Sequence, residues 1–537
     1  MLRSIINKKN QPSGIRVEVV TPIPKRIVSN KGPGFRESVI DTNNIISSIS
    51  TNENKITLPS SSQNLISLLN LDNVDFIYPL TVISLDQTYV LIQFSGKLST
   101  PFGEINSIHP INGLPVTSVY LLECDMNSTN GYIIGAIFLW CYDGIRSTYQ
   151  YAQMKFLNSG DLIVLSNYTG STTFIQNTSK NEYLTINEIK DGNYFIAKFN
   201  LGVPDPTQPN KFGLGDSLWV LPIIAFGDQN IEFCLDFDDN IYLAGTYQNK
   251  FRLGYLNAPT LTSNLITDMF IAKIGSDGNV EFVRSSDKSS DLTNGSGSDG
   301  AIRAKSITFN LTGDFPRITV IGQYNSRFKY SNEGDSFEVD NSIINYNTWI
   351  AQFDLSGNMI WLISPEPSVD NSPEDYLDGY QIVWDSLSRG NLYITGILLG
   401  DYLFHVDVGS TDDIIYVAEL TVNGDFINYN YIRVDLPANQ SDWYPHITFT
   451  DKLIISFFGW GDLYFNGKDP VNGTGLINLY SNSLDADNNW GNPVHICGNI
   501  TNPNINLSTD GIGLYLIGTH IISLNNTNGF VRKYSLL

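Results

Sequence analysis

Four aspartates, Asp228, Asp299, Asp378 and Asp442, recur along the chain, each just ahead of an apolar segment. Carboxylates placed alike in successive units have two uses. Each can cap its own turn by accepting backbone N–H bonds, or together they can ring the mouth of a channel and hold a cation or a basic ligand. The sequence leaves both open. Asp485, Asp487 and Asn489 imitate the start of a calcium loop, but Trp490 stands where that loop needs glycine and Ile496 where it needs glutamate, so a solvated turn is expected. His109, His405, His446, His495 and His520 show no HxxxH or HExxH spacing, and Cys124, Cys141, Cys234 and Cys497 show no CxxC spacing. Neither a zinc site nor a disulfide framework is predicted, and the thiols read as buried and free. With no GxSxG elbow, no GxxxxGK[ST] loop and no nucleophile signature at a cysteine, no cofactor is expected and the chain reads as a non-enzyme.

Charge narrows the partners. A formal charge of -22 repels nucleic-acid phosphates and anionic membranes, so neither is expected on the body of the protein. The N-terminal stretch is the exception: Arg3, Lys8, Lys9, Arg16, Lys25, Arg26, Lys31 and Arg36 face only Glu18. This basic arm reads as a solvated tail or as a dock on an acidic neighbouring subunit through Lys8, Lys9, Arg16, Lys25 and Arg26, with nucleic acid a third use. The opening MLRSIINKKNQPSG lacks the apolar run of a signal peptide, and no later segment has the length and apolarity of a membrane span. An intracellular or virion-associated protein is the expectation.

The elements that must position these residues are strands. At 537 residues the chain exceeds one ordinary core, and its 12% aromatic share, with abundant Ile and Val, favours strands in a repetitive array. One half-motif, a short apolar run often ending in Gly, occurs as TYVLIQF (88–94), DLIVLSNY (161–168), NIYLAGTY (240–247), RITVIGQY (317–324), NLYITGIL (391–398), KLIISFFG (452–459) and GLYLIGTH (513–520). A second alternates with it, anchored on Tyr120, Phe195, Phe270, Trp349, Tyr416, Leu476 and Phe530. Tight-turn residues follow several of the second half-motifs, as in Asp277-Gly278-Asn279, Ser356-Gly357-Asn358 and Asn423-Gly424-Asp425, and an aromatic-bearing strand comes next. Each unit therefore reads as four antiparallel strands. A sheet apolar on both faces is unstable alone, so radial stacking into a seven-bladed β-propeller is the predicted all-β fold, with independent β-sandwiches as the rival.

The segment DGYQIVWDSLSRGNLYITG (378–396), preceded by WIAQFDLSGNMIW, resembles the SBBP-type propeller repeat: an Asp-Gly-Tyr opening, Gly-Asn-aliphatic-Tyr-aliphatic-Thr-Gly, then Phe-Ile-Ala-Lys before a turn and a Trp. The likeness is good over 349–396 and 228–283, partial over 299–330 and 415–457, and weak before 190 and after 470. The resemblance implies a propeller and no particular activity. Together with the Asn/Ile-rich composition and the arm, it is similar to uncharacterised repeat proteins of large DNA viruses.

The expected organisation is a basic arm and connector over 1–74 and a seven-bladed propeller over 75–537. The last blade lacks its outer strand, and Ile15–Val20 alternates as a strand that could supply it; Asn64–Leu69 reads as a helix-like stretch in the connector. The functional expectation is a scaffold for protein–protein contacts, with partners that are other proteins or copies of itself, in a structural or particle-associated setting. The alternatives are a glycan-binding module using aromatics such as Trp443 and Trp460, and an enzyme with its site at the channel mouth. The Gly/Ser-rich stretch 291–300 is the expected mobile tip.

Overall fold

The computed structural model describes strands 4–6, 17–19 and 65–71 and most of 76–535, leaving out connecting segments of which the longest are 202–211, 287–300, 366–375, 435–444, 466–477 and 485–493. By its contacts the chain divides into Met1–Glu53 and Asn54–Leu537. In the first, Ser4–Ile6 pairs antiparallel with Val17–Val19. The second is all-β.

Each first half-motif is a strand, and each pairs antiparallel with the strand of the half-motif after it, through seven successive repeats. In repeats 1 to 6 a strand precedes this pair and another follows it. For repeat 4 the order is Ile302–Thr312, Phe315–Tyr324, Asn347–Phe353 and Met359–Ile363; for repeat 5 it is Tyr376–Trp384, Leu392–Leu399, Ile414–Leu420 and Phe426–Val434. The third strands of both are buried along their whole length. Such strands have no solvent face, which is why they read as near-continuous apolar runs and why each sheet needs a neighbour on either side.

The apolar cores lie between repeats. One cluster joins Tyr242, Ala244 and Ile271 of repeat 3 to Ile318, Val320 and Trp349 of repeat 4, and the next joins Ile321 and Ile350 of repeat 4 to Ile394 and Tyr416 of repeat 5. Two glycine positions make this packing work. The glycine ending the second strand lies opposite an aromatic residue of the third: Gly245 opposite Phe270, Gly322 opposite Trp349, Gly396 opposite Tyr416 and Gly518 opposite Phe530. A Cβ on Gly322 would stand 2.0 Å from the Arg303 carbonyl and 2.6 Å from the Trp349 ring, so the bare glycine lets the ring cover the strand. The second position is the turn between third and fourth strands. Gly278, Gly357 and Gly424 take φ of 87°, 78° and 90°, and each lies against an aromatic of the preceding repeat's fourth strand, respectively Trp219, Phe282 and Trp361.

Edge strands are covered in a recurrent way. The connection between second and third strands reaches back and pairs with the fourth strand of the repeat before: Ser171–Asn177 on Tyr132–Tyr142, the distal half of Ile241–Leu253 on Asp216–Phe226, and Leu463–Phe465 on Phe426–Val434. This occupies backbone groups that would otherwise template pairing with another chain.

The seventh repeat corrects two expectations. Its sheet runs Asn506–Thr509, Gly513–Ser523, Asn526–Ser535 and then Leu65–Leu71. The missing strand thus comes from the N-terminal side, but from Leu65–Leu71 and not from Ile15–Val20, whose residues 17–19 pair with 4–6. Of the stretch Asn64–Leu69, the described residues Leu65–Leu69 are strand and not helix, so residues within the predicted connector belong to the sheets. Leucines at 65, 68, 69 and 71 suit either periodicity, and an open sheet edge decides between them. Close by, the first strand of repeat 1, Phe76–Ser84, packs against all three C-terminal strands of this sheet.

Candidate functional site

First strands of successive repeats lie beside one another, with Ile231–Leu235 against Ile302–Thr312, that strand against Tyr376–Trp384, and the latter against His446–Phe449. Their side chains alternate. The apolar members are buried, while Gln153, Lys155, Glu232, Lys305, Asp378, Tyr380, His446 and Thr448 are half-buried, so one polar residue after another is presented from strand to strand.

The row is electrostatically paired. Glu232 of repeat 3 is flanked by Gln153 and Lys155 of repeat 2 and by Ser306 and the Ile307 backbone of repeat 4; burial raises its pKa, and these partners oppose the rise. Lys155 Nζ also stands 5.3 Å from the centre of the Phe233 ring. Around Asp378 of repeat 5 stand Lys305 and Arg303 of repeat 4 and Tyr380 of its own strand. Burial again raises the carboxyl pKa, and Lys305, Tyr380 and Arg303 pull it down. With its amide nitrogen toward the carboxylate, Gln323 donates to Asp378 and accepts from Arg303 Nη1 at 2.7 Å. His446 of repeat 6 has its pKa lowered by burial to about 4, so it is neutral at pH 7.

Two β-bulges shape the Asp378 end. The register slips between Ala304 and Ser306 opposite Gly322, and between Gly379 and Gln381 opposite Gly396, leaving Lys305 and Tyr380 as the extra residues at equivalent places in neighbouring repeats. Lys305 Nζ stands 5.6 Å from the centre of the Tyr380 ring, and the Arg303 guanidinium 5.3 Å from that of Tyr346. This arrangement can bind charged or polar groups; among the described residues no group of three His, Cys, Asp or Glu side chains converges as metal ligands.

Of the four recurrent aspartates, Asp378 alone is described. It lies within a strand, and the bonds just given to its carboxylate come from side chains. Asp228, Asp299 and Asp442 lie outside the described residues, as do Lys8, Lys9, Arg16, Lys25, Arg26, Trp443, Trp460, the Asp485–Asn489 turn and 291–300. The carboxylates that do cap turns sit at the opposite end of the sheets. Asp236 accepts from the Asp238 and Asn240 N–H groups, each at 2.9 Å, and Asp354 accepts from Ser356 at 2.8 Å and Asn358 at 2.9 Å. Cys124, Cys141 and Cys234 are buried free thiols, and burial pushes Cys141 and Cys234 up to about 12. Lys155, Glu232, Arg303 and Lys305 were not singled out by motif reading, and Tyr380 entered only as the last residue of the Asp-Gly-Tyr opening. Their signal is the alternation of polar and apolar residues in the strand ahead of the Gly-ended one, as in Ile-Arg-Ala-Lys-Ser-Ile (302–307), whose polar members recur in place but not in kind.

The class that these features define is an all-β repeat protein with its cores between repeats and a polar row on its first strands. No family model matches the chain, and no curated protein matches it. It is similar to the crystal structure of a polysaccharide lyase, Uly1, at 10% identity and a TM-score of 0.41, covering 86% of this chain and 90% of that one. A protein of unknown function from Dyadobacter fermentans is similar at 9% identity and a TM-score of 0.30, covering 88% and 98%. At these TM-scores neither likeness carries a statement about fold or activity.

Proposed function

We propose that the chain is a seven-bladed β-propeller serving as a non-enzymatic scaffold for protein–protein contacts. The observation that carries this reading is the packing of the first strand of repeat 1 against the sheet assembled from both ends of Asn54–Leu537. Sheets apolar on both faces need two neighbours each, and a circle supplies them without leaving an exposed end. The inner row supports binding, because its cations and carboxylates face each other across sheets, Lys155 with Glu232 and Arg303 and Lys305 with Asp378. A structural role in a larger particle suits an acidic body with a basic arm, since unlike charges steer copies or partners together.

Two measurements on the full chain test this. Electron microscopy of single particles should show a wheel with seven spokes; another number, or separate globules, overturns the fold. For the role, the tagged chain is purified from its native source beside a variant with Lys8, Lys9, Arg16, Lys25 and Arg26 all changed to Glu. A stoichiometric protein partner retained by the first and lost by the second is expected. Turnover of a polysaccharide or another substrate by the partner-free chain would replace the scaffold reading with the enzymatic one.

A further inference from the structure

One position on the first strands is polar in every repeat. It lies opposite the second-strand residue just before the one that faces the third-strand aromatic. Through repeats 1 to 7 its occupants are Thr81, Gln153, Glu232, Ser306, Gln381, His446 and Asn506. The next position along the strand is apolar in all seven, and the one after that is mixed, with Ile83, Cys234 and Val383 among its occupants. Strand alternation would favour polarity at both of the like-facing positions, so a further constraint holds the first of them. The β-bulges point the same way. In repeats 1, 4 and 5 an extra residue, Leu80, Lys305 or Tyr380, falls immediately ahead of this position, yet the polar residue keeps its place in the ladder.

The seven residues fall into two arcs. In repeats 2 to 4 they engage one another, because Glu232 has Gln153 on one side and Ser306 with the Ile307 backbone on the other. In repeats 5, 6, 7 and 1 the arc is open. Gln381 Oε1 accepts from the Ile447 N–H at 2.7 Å, which leaves the amide nitrogen of Gln381 to donate. Thr81 and His446 are half-buried, and their side chains make no hydrogen bond among the described residues. Asn506 is placed by its register. The first strands of repeats 5 and 6 lie together, as do those of repeats 7 and 1. Closure of the propeller, as proposed above, joins these two pairs, and the site depends on it.

We propose that this open arc of Gln381, His446, Asn506 and Thr81 binds a small uncharged polyhydroxylated molecule, a monosaccharide or cyclitol, through its hydroxyl groups. Amide, neutral imidazole and hydroxyl side chains each offer a donor and an acceptor, as does every hydroxyl of such a ligand. None of the four carries a formal charge at pH 7, since burial holds His446 neutral, so within the arc an ion finds no counter-charge. Val82, Ile382 and Ile447, next along the strands, are buried in the cores. The arc therefore offers hydrogen bonds and no apolar floor, which disfavours a flat aromatic or lipid-like ligand.

The test is ligand-observed NMR on the full chain, by saturation transfer to glucose, myo-inositol and sorbitol in separate titrations at pH 7. Saturable binding of at least one, with a Kd in roughly the millimolar range, is expected. Thr81→Val keeps the shape and removes the hydroxyl, and should weaken binding about fivefold; Thr81→Ser should restore it, and His446→Leu should weaken it by a similar factor. Ser306→Ala, in the closed arc, should leave it unchanged. Restoration by serine separates binding from loss of fold. Absence of saturation by all three up to about 100 mM, equal binding by the wild type, Thr81→Val and His446→Leu, or failure of Thr81→Ser to restore binding overturns the proposal. A seven-spoked wheel that binds none of the three removes this site alone, whereas a wheel with another number of spokes removes the arc together with the fold it depends on.

Discussion

The joints between repeats and the row on the first strands belong to the same sheets and are built by opposite rules. At the joints an aromatic residue lies against a glycine, Trp349 against Gly322 within a repeat and Trp361 against Gly424 between repeats, and the strand glycine recurs in repeats 3, 4, 5 and 7, while Ile92, Ser166 and Phe457 stand opposite the aromatic in repeats 1, 2 and 6. Along the row polar positions recur but the residues do not: Gln153, Glu232, Ser306 and Gln381 share one register position in repeats 2 to 5, and Arg303 and Asp378 share another in repeats 4 and 5. The joint must satisfy one packing geometry wherever the aromatic lies on the bare strand, whereas the row has only to remain polar and is free to diverge. Stability should therefore concentrate at the joints, and the row should cost stability while it provides recognition.

The largest effect that could break this contrast is at a joint. Gly322→Ala sets a methyl group 2.0 Å from the Arg303 carbonyl and 2.6 Å from the Trp349 ring. Neither backbone nor a buried indole can withdraw, so a loss of about 3 kcal/mol or more is expected in chemical denaturation. Gly390→Ala is the control: its φ is +69° with nothing within 4 Å, so it should cost about 1 kcal/mol. Equal losses at the two sites would mean that the aromatic-over-glycine contact is not what holds the joint.

The next effect sharpens the other side of the contrast. His446 in the row is held neutral, its pKa lowered by burial from 6.5 to about 4. A base depressed in the folded state leaves stability intact above 6.5 and loses it as pH falls toward 4, because the unfolded chain takes up the proton first. The full drop corresponds to roughly 3 kcal/mol. The stability difference between the wild type and His446→Gln should therefore shift by that amount between pH 7 and pH 4. An imidazole that titrates near 6.5 in NMR spectra of the folded chain would remove this cost from the row.

This division also decides what was legible in the sequence. The Gly-ended strand and its aromatic partner are local patterns repeated under the same constraint, so Gly245 with Phe270, Gly322 with Trp349 and Gly396 with Tyr416 could be aligned by eye, and all six residues lie in paired strands. Leu65–Leu71 was misread because nothing nearby in sequence indicates a partner some 460 residues away, and only the open edge of Asn526–Ser535 makes it a strand. Of the row, Asp378 stands out because an aspartate recurs ahead of the apolar segments and here opens Asp-Gly-Tyr, whereas Arg303 and Lys305, in the equivalent strand before it, carry no motif. Their meaning comes from a cross-sheet neighbour and from a bulge, neither of which periodicity reveals.

The smallest effect puts the cost of the row to its most direct test. Burial raises the pKa of Glu232, so the folded chain holds this proton more tightly than the unfolded one, and stability falls as pH rises from the ordinary carboxyl range through the raised value. In its ionised form the carboxylate is a net burden that Ser306, Lys155, Ile307 and Gln153 offset only in part. Glu232→Gln keeps hydrogen-bonding groups in place and removes the charge, but it also leaves Lys155 without its opposite. The informative variant is therefore Glu232→Gln with Lys155→Met, which removes both charges at once. It should be about 1 kcal/mol more stable than the wild type at pH 7, and the advantage should shrink as the pH falls through the raised value toward 4.5, below which Glu232 carries its proton in folded and unfolded chain alike. If the double variant instead loses several kcal/mol in denaturant melts at pH 7, the charged row holds the sheets together as the joints do, and the separation of packing from recognition argued above is wrong for repeats 2 and 3.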